Sequence, residues 1–280
     1  MPNVRFRLLI LFFAICLNAC DQRTKSMSFY YWRNIYAPDS TEIKALSENE
    51  VHTLYLHYFD VEWPDSVNAP TLGSPVRFDS VPTGYNIIPV VFFSNKVFEK
   101  IDSAAVPGLT DKILTLVTRI SHTAQLHPAE IQFDCDWTEK GKNNYFNFLR
   151  QYHAASGVVL SSTIRLYQIK FADHTGIPPV DHGVLIFYNM DSAESTTGNP
   201  VYERSIAHRY TPSLRSYPLM LDLALPIIRT TSADDLLGIV DEVNRHSNHR
   251  IRNLIFFDLD RQNLLRYEKG LFREVLDRTN

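Results

Sequence analysis

Cysteine is scarce in this chain of 280 residues: Cys16, Cys20 and Cys135 are all it has. Three thiols so placed give neither a disulfide framework nor paired zinc-ligand spacing. Glycine is sparse as well, with 10 residues against 15 prolines. No apolar run is followed by a G-x-G-x-x-G or G-x-x-x-x-G-K-[ST] turn, so a loop that cradles phosphates is not expected. Positive charge is not in excess: 28 Lys+Arg face 31 Asp+Glu, a net charge of −3. That balance lacks the basic footprint of a nucleic-acid binder. No run reaches the ~20 apolar residues of a membrane-spanning helix. H-E-x-x-H, short H-x-H pairs and the G-x-S-x-G elbow are missing too, which argues against zinc-protease and serine-hydrolase chemistry. Neither a metal nor a cofactor is expected; His57, Asp60 and Asp136 are the combination that would suit a metal if one bound.

What is present begins with an address. Arg5 and Arg7 precede the apolar stretch Leu8 to Leu17, which has signal-peptide length, and no acid occurs before Asp21. The stretch ends in Leu17-Asn18-Ala19-Cys20, which resembles a bacterial lipobox. That resemblance implies cleavage before Cys20 and acylation of its thiol. Residues 1–19 would then be a lipoprotein signal peptide, 20–27 the lipidated cysteine and its tether, and 28–280 the folded domain. Cys135 would be left as a lone thiol without a disulfide. The expected location is the bacterial cell envelope, extracytoplasmic and held to a membrane through Cys20 by acyl chains that contribute about 0.8 kcal/mol per buried methylene.

Beyond the tether, short β-rich runs recur at Ser28–Trp32, Thr53–Phe59, Asn86–Phe93, Glu130–Asp136, Val158–Ile164, Val184–Tyr188, Leu219–Leu225 and Asn253–Asp258. Several are almost continuously apolar, as parallel strands covered on both faces should be. Helical periodicity fills gaps between them at Thr110–Leu126, Lys142–Ala155, Ser232–His246 and Gln262–Leu276. Residues 61–84, rich in Pro, Ser and Asp, read as a loop where another helix would be expected. Eight strands alternating with helices predict an α/β fold, a single (β/α)8 TIM barrel with parallel strands. A doubly wound open sheet is the competing architecture.

A barrel places its chemistry at the C-terminal ends of the strands. Those ends carry Trp32 and Arg33, then Asp60, Glu62 and Trp63, then Asp134-Cys135-Asp136-Trp137-Thr138. They continue with Arg165 and Tyr167, with Tyr188 and Asn189, and with Asp258. Alternation on the fourth strand puts Gln132, Asp134 and Asp136 on one face, and Phe133, Cys135 and Trp137 on the other. The second set suits the helix layer, leaving two carboxylates directed at the mouth. Like charges one pleat repeat apart, roughly 6–7 Å, demand a raised pKa or an intervening cation such as Arg165. A structural ion network closing the barrel top, with Asp134 held by Arg165 or Lys170, is the plainer reading of the same residues. Paired carboxylates are also what glycosidic acid/base chemistry uses. The aromatic residues near the strand ends suit stacking on pyranose faces, and Trp63, in a polar loop, is the expected exposed platform.

Asp134-Cys135-Asp136-Trp137-Thr138 resembles the D-x-D-x-E signature of family 18 glycoside hydrolases, the chitinases and endo-β-N-acetylglucosaminidases. Phe187-Tyr188-Asn189-Met190 is similar to that family's M-x-Y-[DN] block. By this resemblance Asp134 and Asp136 are the signature's two aspartates, Asp136 orients a substrate N-acetyl group, and Tyr188 hydrogen-bonds the same acetamide. Thr138 stands where the resemblance places the glutamate that acts as general acid. A threonine hydroxyl cannot protonate a leaving oxygen at neutral pH, and general acid catalysis contributes typically ~10²–10⁴-fold. Glu62 or Glu139 would have to replace it. The F-D-V-x-W and D-C-D-W-T blocks are also similar to those of bacterial lipoproteins of the sugar-active barrel type, a group without an assigned activity. The expectation is a membrane-anchored, glycan-active barrel, a glycoside hydrolase with Asp134, Asp136, Glu62 and Tyr188 as catalytic candidates. Asp60, Trp32, Trp63, Arg165, Asn189 and Asp258 are the substrate-binding candidates. The alternatives are an inactive glycan-binding lipoprotein of the same fold and, more remotely, a metal-dependent hydrolase.

Overall fold

The computed structural model describes residues 26–187, 204–228, 231–247, 251 and 253–279. Eight parallel strands form a closed barrel, numbered here β1 (Ser26–Tyr31), β2 (Thr53–Glu62), β3 (Asn86–Phe93), β4 (Glu130–Cys135), β5 (Val159–Arg165), β6 (His182–Ile186), β7 (Leu221–Pro226) and β8 (Asn253–Phe257). Each strand pairs with its sequence neighbour, and β1 closes the ring by pairing with both β8 and β2. Closure rules out the open doubly wound sheet. All eight apolar runs became strands, because each has a wall of helices outside it and side chains filling the ring inside. The first strand starts at Ser26, within the expected tether; Cys20 and the rest of residues 1–25 lie outside the described residues, as do Tyr188 and Asn189. Among the described residues no helix is long and apolar enough to cross a membrane.

Two apolar clusters result. Tyr30, Tyr55, Ile88, Val90, Val184, Ile186, Ala224 and Ile255 fill the barrel, with Trp32 and Phe257 packed against them toward the mouth. A larger cluster lies between strands and helices. There Phe93, Phe133, Phe148 and Tyr152 pack with ring centroids 4.8–6.0 Å apart.

Strand β2 carries a bulge. His57 is paired with Val90 and Phe59 with Val91, so Tyr58 is an extra residue. Tyr58 and Phe59 both face the outer core, and the alternation beyond them is reversed. Without the bulge Val61 would face the mouth; with it, Asp60 and Glu62 do.

The helices follow the sequence with two corrections. Helix α1 (Ser40–Glu48), absent from the expected set, begins at a capping box in which Asp39 accepts from Thr41 and Glu42 while Glu42 accepts from the Asp39 N–H. Next come α2 (Asn95–Lys100), α3 (Val106–Thr123), α4 (Lys142–Ser156), α5 (Leu166–Lys170), α6 (Ala172–Thr175), α7 (Arg204–Tyr210) and α8 (Ala233–His246). The expected helix Gln262–Leu276 is two pieces, α9 (Arg261–Leu264) and α10 (Leu271–Arg278). Gly270, at φ 97°, adopts the left-handed backbone that separates them. Residues 61–84 contain no helix, as expected. They form two short strands, Thr71–Leu72 antiparallel to the end of β2 and Arg77–Phe78 parallel to Ile35–Tyr36.

Candidate functional site

The C-terminal end of β4 is the centre of the mouth. Phe133, Cys135 and Trp137 are buried in the outer core, so Asp134 and Asp136 face inward. Trp137 donates its indole N–H to the Thr175 carbonyl and stacks on Tyr145, which removes it from the aromatic rings available to a sugar. Burial pushes the Cys135 thiol well above its ordinary pKa, and the nearby carboxylates push it further, so it is no nucleophile.

The two aspartates sit in different surroundings. Thr163 of β5 donates its hydroxyl to Asp134 Oδ1 at 2.7 Å. Burial raises the Asp134 carboxyl pKa; Arg165 pulls it down and Asp136 pushes it up again. Asp136 is paired with Arg165, Nε to Oδ1 at 2.5 Å. Arg165 is held in place because its backbone N–H donates to Gln168, whose amide in turn donates to the Trp137 carbonyl. The cation required between the carboxylates is Arg165; Lys170 instead lies over the Tyr210 ring.

On the opposite wall Trp32 lies tilted against His57 with ring centroids 4.6 Å apart, and Phe257 and Tyr30 meet it edge-on. The buried His57 Nε2 is 2.8 Å from Asp60 Oδ1. Glu62 follows two residues on, exposed at the rim. Asp258 follows β8, where Asn263 donates to its Oδ1 at 2.9 Å. Burial, helped by Asp260, pushes its pKa up to about 6. Trp63 is not an exposed platform: it is half-buried against the outer core, and its indole N–H is enclosed.

Thr138 donates its hydroxyl to Glu99 Oε1 at 2.6 Å, bringing a carboxylate of α2 to the place where the resemblance puts a glutamate. Glu139 points to solvent near His174. Glu99 and Thr163 are not singled out in the sequence, and His57 stands out there only in combination with Asp60 and Asp136. The parity of β5 would have put Thr163 beside Arg165, but Glu99 arrives through helix packing that no local pattern reports.

The described residues bring His57, Asp60 and Asp136 into no metal-binding cluster; the group able to hold a metal is His208, Glu242 and His246, in the helix layer. Among the described residues, a cleft of about 540 Å³ lies away from the strand ends, between residues 75–81 and the end of α3.

This barrel has the fold of the family 18 glycoside hydrolases and their chitinase-like relatives. The spore cortex-lytic enzyme SleL of Bacillus cereus superposes with a TM-score of 0.57 and 11% identity, over 92% of this chain and 74% of that one. A chitinase-like agglutinin of Robinia pseudoacacia gives 0.52 and 10%, over 90% and 98%. A mutant family 18 chitinase of Cycas revoluta in complex with (GlcNAc)4 gives 0.51 and 9%, over 91% and 99%. At these identities the likeness establishes the fold. No family model and no curated protein matches the sequence.

Proposed function

We propose that this chain is a lipid-anchored envelope protein whose barrel mouth takes an N-acetylglucosamine-containing glycan and hydrolyses it. The observation that carries the reading is the electrostatic division of the β4 pair. Arg165 sits on Asp136, whereas the part-buried Asp134 has a raised pKa. Two carboxyl groups in such different surroundings suit the roles of proton holder and ion-pair partner. Thr163 occupies Oδ1 of Asp134, whose raised pKa favours its role as the proton holder. Asp136, paired with Arg165, orients the substrate, as the resemblance implies. Glu62 at the rim of β2 and Glu99 behind Thr138 are further carboxyl groups at the mouth. Trp32, on its His57 support, is the stacking surface. The substrate class draws on the neighbours: one is named as a cortex-lytic enzyme and another was crystallised with (GlcNAc)4. Membrane attachment rests on Leu17 to Cys20.

The second reading, a binding protein without turnover, is favoured by the Thr138 hydroxyl at the position of the glutamate; the agglutinin has the same fold under a chitinase-like name. One experiment separates the two. The full chain in detergent is incubated with N-acetylglucosamine-containing and plain β-glycans, and reducing ends are counted beside Asp136→Asn. Release that the variant lowers by at least ~100-fold supports the hydrolase. Absence of release together with a glycan-dependent rise in melting temperature replaces it with the binding protein.

A further inference from the structure

Outside the mouth, in the helix layer, two helices bring a different chemistry together. His208 comes from α7, and Glu242 and His246 occupy positions i and i+4 of α8, one above the other on the same face. His208 Nδ1 is 3.0 Å and His246 Nε2 3.3 Å from the same atom, Glu242 Oε1. The three donor atoms all lie within 4.8 Å of one another. Bonds of ~2.0–2.1 Å around a tetrahedral zinc place ligand atoms ~3.3–3.4 Å apart. The donors are therefore already close to the edges of such a tetrahedron.

From this arrangement we infer that His208, Glu242 and His246 form a divalent-metal site, suited to Zn²⁺, that staples α7 to α8. Two imidazoles and one carboxylate are a zinc ligand set, and the fourth position opens to solvent beside the exposed His208. The surroundings match what a ligating carboxylate needs. Arg245 Nη1 binds the far oxygen, Oε2, at 2.7 Å, and Thr211 donates to Oε1 at 2.7 Å, fixing the carboxylate orientation. Arg245 thus offsets the charge of the oxygen that faces away from the imidazoles. The His246 Nε2 atom is fully enclosed, with no hydrogen-bond partner. A metal held among the three side chains would replace that nitrogen's 3.3 Å contact with Glu242 by a bond. The site is independent of the glycan reading.

The test uses the full chain in detergent, freed of metal by a chelator and kept mildly alkaline so that both imidazoles are neutral. Addition of one equivalent of Zn²⁺ should raise the melting temperature. Co²⁺ in its place should give the visible absorption of a tetrahedral centre. His208→Ala, at an exposed position where folding is not at stake, should abolish that absorption and weaken Zn²⁺ binding by more than the ~10–100-fold typical of outer-shell changes. His174→Ala, at a solvent-facing histidine elsewhere, should leave both readouts unchanged. Absence of Co²⁺ absorption and of a Zn²⁺-dependent shift overturns the inference. So does binding that survives both His208→Ala and His246→Ala.

Discussion

At the scale of the residue, the mouth is organised by one cation. Arg165 is largely buried and Asp136 only partly exposed, so their pair lies between surface and interior limits. Arg165→Met should cost about 1–2 kcal/mol of stability, between the ~0–1 of exposed pairs and the ~3–5 of broken buried ones. It should also raise the Asp134 pKa further, because a lowering influence is lost while burial and Asp136 remain. A pH titration of the variant beside the wild type checks both. Asp258 makes a second case. Its carboxyl is raised from 3.8 to about 6 in the folded chain, so its neutral form is favoured. Its stabilising contribution is complete below about 3.8 and is lost as pH rises through about 6. The melting temperature of Asp258→Asn should therefore gain on that of the wild type between those pH values. A relative loss there would mean that the site prefers the anion. The inward facing of Asp134 and Asp136 was legible because strand alternation has a fixed period. Glu99 and the enclosure of Trp63 were not, since both are set by residues distant in sequence.

The elements were more legible than their boundaries. Eight apolar runs sufficed to count the strands, and Ser232 marked the start of α8, where its hydroxyl accepts from the Asp235 N–H and Asp235 reciprocates. Ser232→Ala should cost about 1 kcal/mol, measurable by urea denaturation. Helix α1 was overlooked although Asp39 and Glu42 spell a capping box, because its outer face is polar and its apolar stripe short. The continuous reading of 262–276 took periodicity at face value across Gly270, whose backbone freedom decided the matter. The bulge in β2 could not be read at all: Tyr58 and Phe59 are both apolar, and nothing local says which is the additional residue.

At the scale of the molecule, the two ends of the barrel differ in kind. The mouth keeps its carboxylates partly solvated, whereas the N-terminal end is closed by interlocked polar side chains. His182 lies 3.3 Å from Glu130 and 3.4 Å from Asp222, Ser161 donates to Glu130, and Asn253 binds both Asp222 and Ser26. Asp222 is fully buried, so Asp222→Ala should destabilise by about 3–5 kcal/mol, read from urea unfolding, without altering glycan recognition at the other end.

The additional residue at Tyr58 gives β2 something like a reading frame. Removing Tyr58 would leave that frame intact, since His57 in, Phe59 out, Asp60 in and Val61 out is already the regular alternation. Only if Tyr58 stayed and the bulge were ironed flat would Val61 enter the mouth and Asp60 and Glu62 turn into the greasy layer beside Phe93. A strand of this kind can gain or lose a single codon at the bulge and keep its acidic side chains on the wall where they stand.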